Sequence, residues 1–114
     1  MVIVHLMRII FTVYIIIIYN NDMSKIDFQQ FKVYASITRK NVQTIDAREQ
    51  FADMIYTHVN GIRAHALAMK IYESKGETEY NPDEVKMIRS VAEQLCVPGF
   101  IDGLNEQLDN NKTE

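Results

Sequence analysis

The sequence predicts a mostly helical α+β domain in which an N-terminal β-hairpin packs on three to four helices. Two patterns and one quantity predict it. Apolar residues alternate over 31–37, the period of a half-buried strand, and then recur at three- and four-residue steps between 46 and 108, the period of amphipathic helices. The chain has 114 residues, 47% of them apolar and 24% charged, enough for one core and little more. That composition excludes a disordered chain, and a single cysteine excludes a disulfide scaffold. Fifteen acids against twelve bases, a net charge of −3, argue against a protein that coats phosphate backbones through its overall charge.

The first 22 residues stand apart from this pattern. Sixteen of them are apolar, seven are isoleucine, and none is alanine, glycine, glutamate or lysine. A membrane-spanning helix needs about 20 mostly apolar residues, whereas the apolar run here covers 9–19, with His5 and Arg8 ahead of it. An export signal would close on a small-x-small cleavage site, and the residues that follow are Asn20-Asn21-Asp22-Met23. The composition favours a start of translation at Met23, with residues 1–22 a hydrophobic leader from a mis-assigned start; a membrane anchor and a first element of the fold are the alternatives. On this reading residues 23–108 form one domain and 109–114 a polar tail.

Within that domain, Phe31, Val33, Ala35 and Ile37 alternate with Lys32, Tyr34 and Ser36, which predicts a strand over 31–37. Thr38-Arg39-Lys40-Asn41 is turn-like, and Val42-Gln43-Thr44-Ile45 is β-branched enough to return as a strand over 42–45. Asp46 followed three residues later by Glu49 has the form of a capping box and predicts a helix over 46–60, ended by Asn60-Gly61. Phe51, Met54, Ile55, His58 and Val59 define its expected inner face.

A second helix is expected over 62–75, alanine-rich and with a broad apolar surface. Either Ile62, Ala66, Met69 and Tyr72 or Leu67 and Ile71 face inward, and periodicity does not choose between them. Residues 75–80 read as a loop. Asn81-Pro82-Asp83-Glu84 is the strongest local signal, with a capping asparagine, proline at the first helical position and acids in the first turn. It opens a helix over 82–96 that turns Val85, Ile88, Val91, Ala92 and Leu95 inward. Val97-Pro98-Gly99 breaks it, and Phe100, Ile101, Leu104 and Leu108 support a last helix over 99–108. A core this small gains from burial against a partner or a second copy.

Chemistry-bearing residues are sparse. His58 and His65 are seven apart across the Asn60-Gly61 break, whereas helical metal sites use three- or four-residue steps. A small enzyme around His58 and His65, with Asp53 or Glu49 beside them, is a minor alternative. Cys96 adjoins Leu95 on the inner edge of its helix and reads as a small buried hydrophobe. A lone cysteine also fits a reducing, cytoplasmic compartment. Phosphate-binding glycine loops and zinc-protease, serine-hydrolase and calcium-loop motifs do not occur in the sequence. No catalytic residue, metal or cofactor is therefore expected. The most basic local feature is the hairpin, where Lys32, Tyr34, Arg39 and Lys40 form a candidate interaction patch able to contact phosphate and stack on bases.

Three segments carry a resemblance. They are Ile45-Asp46-Ala47-Arg48 with Phe51-Ala52-Asp53-Met54-Ile55-Tyr56, then the run from Gly61 to Tyr72, then Pro98-Gly99-Phe100-Ile101-Asp102. Together they resemble small uncharacterised proteins encoded in prophages and other mobile elements of gut bacteria, over roughly residues 28–108. The resemblance carries no catalytic residues and implies an accessory or assembly role in binding other proteins. The leading expectation is a non-enzymatic interaction module with a protein partner or self-association. A nucleic-acid-binding accessory protein using the basic hairpin is the alternative, and a membrane enters only if residues 1–22 are an anchor.

Overall fold

A computed structural model describes residues 23–110, so the expectations for the leader, for His5 and for residues 111–114 lie outside the described residues. The described chain is α+β and mostly helical, as the sequence predicts. Its elements run β1 (Ser24–Asp27), β2 (Phe31–Tyr34), β3 (Val42–Ile45), α1 (Arg48–His58), α2 (Ile62–Tyr72), β4 (Glu77–Tyr80), α3 (Pro82–Leu95) and α4 (Pro98–Asn110). The expected hairpin forms as β2 against β3, antiparallel, with Phe31 opposite Ile45 and Tyr34 opposite Val42. A second two-stranded ladder pairs β1 with β4, with Ser24 opposite Tyr80 and Asp27 opposite Glu77.

The core is built where β1 turns into β2. The Asp27 carboxylate accepts the N–H groups of Gln29 and Gln30, both at 2.9 Å, and this side-chain turn reverses the chain within three residues. It brings Phe28 and Phe31 into one aromatic cluster. Phe31 stacks on Phe100 at 4.2 Å between ring centroids, Phe28 lies 5.1 Å from Phe51, and Phe51 lies 5.5 Å from Phe100. Aromatic pairs at these spacings contribute about 0.5–1.5 kcal/mol each beyond their buried area. Ile26, Ile55, Leu67, Ile71, Ile88 and Leu104 are among the other residues buried in the same core.

Helix α4 fastens the two sheets. A Cβ on Gly99 would lie 1.9 Å from the Tyr34 carbonyl oxygen, and one on Gly103 would lie 1.9 Å from the Lys32 carbonyl oxygen. Only glycine fits at this distance, so one turn of α4 rests directly on the backbone of β2. The carbonyls of Lys32 and Tyr34 thus face α4 while the Ala35 N–H donates across the hairpin to the Asn41 carbonyl at 2.8 Å. The outer edge of β2 is covered, a protection against pairing with another strand. Gln107 does the same for β1, accepting the Asp27 N–H at 2.7 Å and donating to the Asp27 carbonyl at 3.4 Å.

Several local expectations are corrected. The first strand ends at Tyr34 rather than 37, because Ser36 and Arg39 close a turn at 3.0 Å, and Ile37 is 96% exposed rather than inward. Residues 77–80 form a strand, not a loop. Asp46 does not cap α1: the helix starts at Arg48 without a side-chain cap, and the Asp46 carboxylate is taken by the Arg48 guanidinium at 2.7 and 2.9 Å. Gly61, at φ 107°, begins α2 instead of capping α1, which ends on the extended Val59. His58 is exposed, as is Leu95, and α4 continues through Asn110 into the expected tail. The capping box at α3 forms as expected, with Asn81 accepting from the Glu84 N–H at 2.8 Å and Glu84 from the Asn81 N–H at 2.9 Å.

Candidate interaction surface

Two of the hairpin residues singled out by sequence, Tyr34 and Arg39, lie together, but acids meet them. Arg39 takes a left-handed backbone, φ 59°, in the loop between β2 and β3. Its guanidinium lies 5.2 Å from the centre of the Tyr34 ring and 3.6 Å from the Asp102 carboxylate. The Tyr34 hydroxyl donates to the Glu106 carboxylate, a bond that holds the phenol above its ordinary pKa. Asp102 and Glu106 are one turn apart on α4, the spacing that puts two side chains on one helix face. Lys32 and Lys40 are exposed. Two of the four candidate residues are thus engaged within the chain. Sequence reading missed their partners, although the interlocked pairs Gly99/Gly103 and Asp102/Glu106 mark a helix face with both a close approach and a charge.

His58 and His65 have separate surroundings. His58 Nδ1 lies 3.1 Å from the Met54 carbonyl and 2.8 Å from the Thr57 hydroxyl, while the His65 ring lies 5.8 Å from that of Tyr56. Among the described residues no group of three or more His, Cys, Asp or Glu could hold a metal ion. Cys96 is half-buried with Sγ 3.7 Å from Met54 Sδ, and burial pushes its thiol pKa up, away from the thiolate that nucleophilic chemistry needs.

The open feature of the molecule is the outer face of α1 and α2. Glycine at 61 and a three-residue connection fold the two helices back on each other, so the start of α1 lies beside the end of α2. Ala52 and Ala68, both buried, let the helices approach closely and form the floor of a groove of about 320 Å³. Tyr56, Met69 and Tyr72 wall it, and Glu49 and Asp53 stand at its rim. Helix α2 buries Ala64, Leu67, Ala68 and Ile71. The other apolar stripe of that helix remains at the surface, with Ile62 85% exposed, Tyr72 54% and Met69 40%. Tyr56 of α1, 61% exposed, continues it.

Arg48 closes one end of this face. Beyond its bonds to Asp46 it donates from Nη1 to the Ser74 carbonyl at 2.9 Å, tying the start of α1 to the chain just past α2. The pair holds the Asp46 carboxyl below its usual range and the guanidinium above its own. Among the described residues no helix is long and apolar enough to cross a membrane. Comparison of the chain with family models, curated proteins and solved structures finds no match.

Proposed function

We propose that this chain is a non-enzymatic interaction or assembly protein whose contact surface is the outer face of α1 and α2. The observation that carries the reading is the second apolar stripe of α2, which the described fold leaves at the surface. Met69 and Tyr72 with Tyr56 line one groove rimmed by carboxylates, Ile62 extends the same stripe toward the start of α2, and methionine and tyrosine are residue types enriched at protein interfaces. The accessory role implied by the resemblance to mobile-element proteins points the same way.

The hairpin ranks second as a contact surface, because Asp102 and Glu106 set two carboxylates against Arg39 and Tyr34 and offset the positive field that nucleic-acid binding needs. Size-exclusion chromatography of a gentle extract from the producing cells tests the reading. The chain elutes in an assembly larger than its own 13.3 kDa, and Met69→Asp with Tyr72→Ser returns it to the free position. Elution of the unaltered chain as a free monomer would contradict the proposal.

A further inference from the structure

We infer that the α1–α2 groove takes a cationic side chain, a lysine or an arginine, from a partner protein. This rests on the reading of that face as an interaction surface and names the chemistry of what docks there.

Elsewhere in the fold the chain holds its own cations in one recurring way. Lys70 Nζ lies 4.7 Å from the centre of the Tyr80 ring and 3.0 Å from the Glu84 carboxylate. The Arg39 guanidinium lies 5.2 Å from the centre of the Tyr34 ring and 3.6 Å from the Asp102 carboxylate. Each cation sits between a tyrosine ring, which attracts positive charge to its face, and a carboxylate that pairs with it. The groove repeats the two receiving components, with Tyr56 and Tyr72 lining it together with Glu49 and Asp53. Among the described residues neither of these carboxylates enters an ion pair.

The bases around the two helices are engaged or lie off the groove. Arg48 is committed to Asp46 and the Ser74 carbonyl, and Lys70 to Glu84. Arg63 lies on the other flank of α2 with Asp83 and Glu84, and Lys75 borders the adjoining hollow beyond Tyr72. Glu49 and Asp53 are four residues apart on α1, so their like charges oppose each other across one helical turn. A cation between them offsets that repulsion.

The rest of the groove suits the stem of such a side chain. Lysine and arginine lay their methylene groups on apolar surface while the charged head stays among polar partners, and Ala52, Ala68 and Met69 provide that surface. A volume of about 320 Å³ is at the small end of ligand sites and admits one long side chain. A neutral apolar side chain in the same place would strip water from two carboxylates without replacing it, and an anionic one would meet like charge. The net charge of −3 also favours the approach of a cationic partner.

Nuclear magnetic resonance titration of the purified full chain, labelled at its methionine methyl groups, tests this. The probes are Nα-acetyl-lysine methylamide and Nα-acetyl-arginine methylamide, with the neutral norleucine analogue for comparison. A saturable shift at Met69 with a dissociation constant of about 1–10 mM is expected for the cations, and binding about tenfold weaker or less for norleucine. Glu49→Gln with Asp53→Asn weakens the cationic probes about fivefold or more. Glu93→Gln with Asp109→Asn, the same change in net charge at exposed positions off the groove, alters binding less than about twofold. A circular-dichroism melt of each variant verifies that it is folded. An equal response to norleucine, equal losses in the two double variants, or no saturable shift at Met69 up to about 50 mM overturns the inference.

In cell extract, Glu49→Gln with Asp53→Asn is expected to release the chain from its assembly. An assembly that survives this pair but not Met69→Asp with Tyr72→Ser overturns the partner's cationic side chain and leaves the interaction reading in place. If the probes bind the groove all the same, its occupant is a small free cation. An unaltered chain that elutes free overturns both readings.

Discussion

Helices α4 and α2 both carry small residues beside large apolar ones, and they use them in opposite ways. On α4, Gly99 and Gly103 bring the helix onto the β2 backbone, Phe100, Leu104 and Leu108 enter the core, and Asp102 and Glu106 fasten the hairpin. On α2, Ala64 and Ala68 with Leu67 and Ile71 enter the core, and the stripe through Ile62, Met69 and Tyr72 stays largely at the surface, Met69 and Tyr72 walling the groove against α1. A helix whose every face is explained by its neighbours is built for folding. A helix with an apolar face left over has composition that folding does not account for, and the proposed contact surface rests on that surplus.

Substitutions can break this contrast from either side. Phe100→Ala removes the ring that stacks on Phe31 and Phe51, and by the cost of comparable core truncations it lowers stability by about 3–5 kcal/mol in denaturant unfolding. Tyr72→Ala, on the open face, changes stability by less than about 0.5 kcal/mol in the same experiment. A loss at Tyr72 matching that at Phe100 would erase the distinction between the two helices.

Gly103→Ala is next in size. Its methyl group meets a backbone carbonyl rather than a movable side chain, so α4 must lift from β2, at a cost of about 1–3 kcal/mol or more. Ala66→Ser, exposed on α2, leaves the unfolding midpoint within about 0.5 kcal/mol of its starting value.

Tyr80 sharpens the account of the closed core. It is fully buried beside Phe28, its hydroxyl has no partner within hydrogen-bond geometry among the described residues although the Ser74 and Thr78 side chains lie near it, and burial pushes its pKa up to about 12. Tyr80→Phe removes an unsatisfied group and raises stability by about 1 kcal/mol. The folded pKa lies above the ordinary value of 10, so the neutral phenol is favoured by folding. That contribution is whole below pH 10 and is lost as pH rises through about 12, on the order of 2–3 kcal/mol that Tyr80→Phe retains. Stability curves of the two proteins that stay parallel across this range would contradict it. Smallest is Asp102→Asn, which releases Arg39 from an exposed ion pair and costs at most about 1 kcal/mol.

The sequence exposed the fold class and most elements because their signals are local. The Asn81-Pro82 start of α3 and the alternation at Phe31 and Val33 were legible without knowing the fold. The β1–β4 ladder was not. Glu77-Thr78-Glu79-Tyr80 is short, carries two acids, and becomes a strand because Ser24–Asp27 lies beside it, a pairing between segments far apart in the chain. Asp46 and Glu49 had the form of a capping box, yet the Asp46 carboxylate accepts the guanidinium and the backbone N–H of Arg48 rather than the Glu49 N–H that a capping box requires. On α2 both stripes were apolar, so period alone could not choose which one the core takes. That ambiguity was itself the trace of the candidate surface: the stripe not chosen is the one left open. The hairpin patch was legible as a group of residues, whereas its acidic partners on α4 depended on packing.

Photo-cross-linking from position 72 compared with position 37 tests the central claim most directly, since both sites are exposed and only the first lies on the proposed contact surface. In a gentle extract from the producing cells, a photoreactive side chain at 72 of the full chain is expected to yield one discrete covalent adduct that Met69→Asp abolishes, while the same probe at 37 yields none. Discrete adducts from position 37 with none from position 72 would contradict the account.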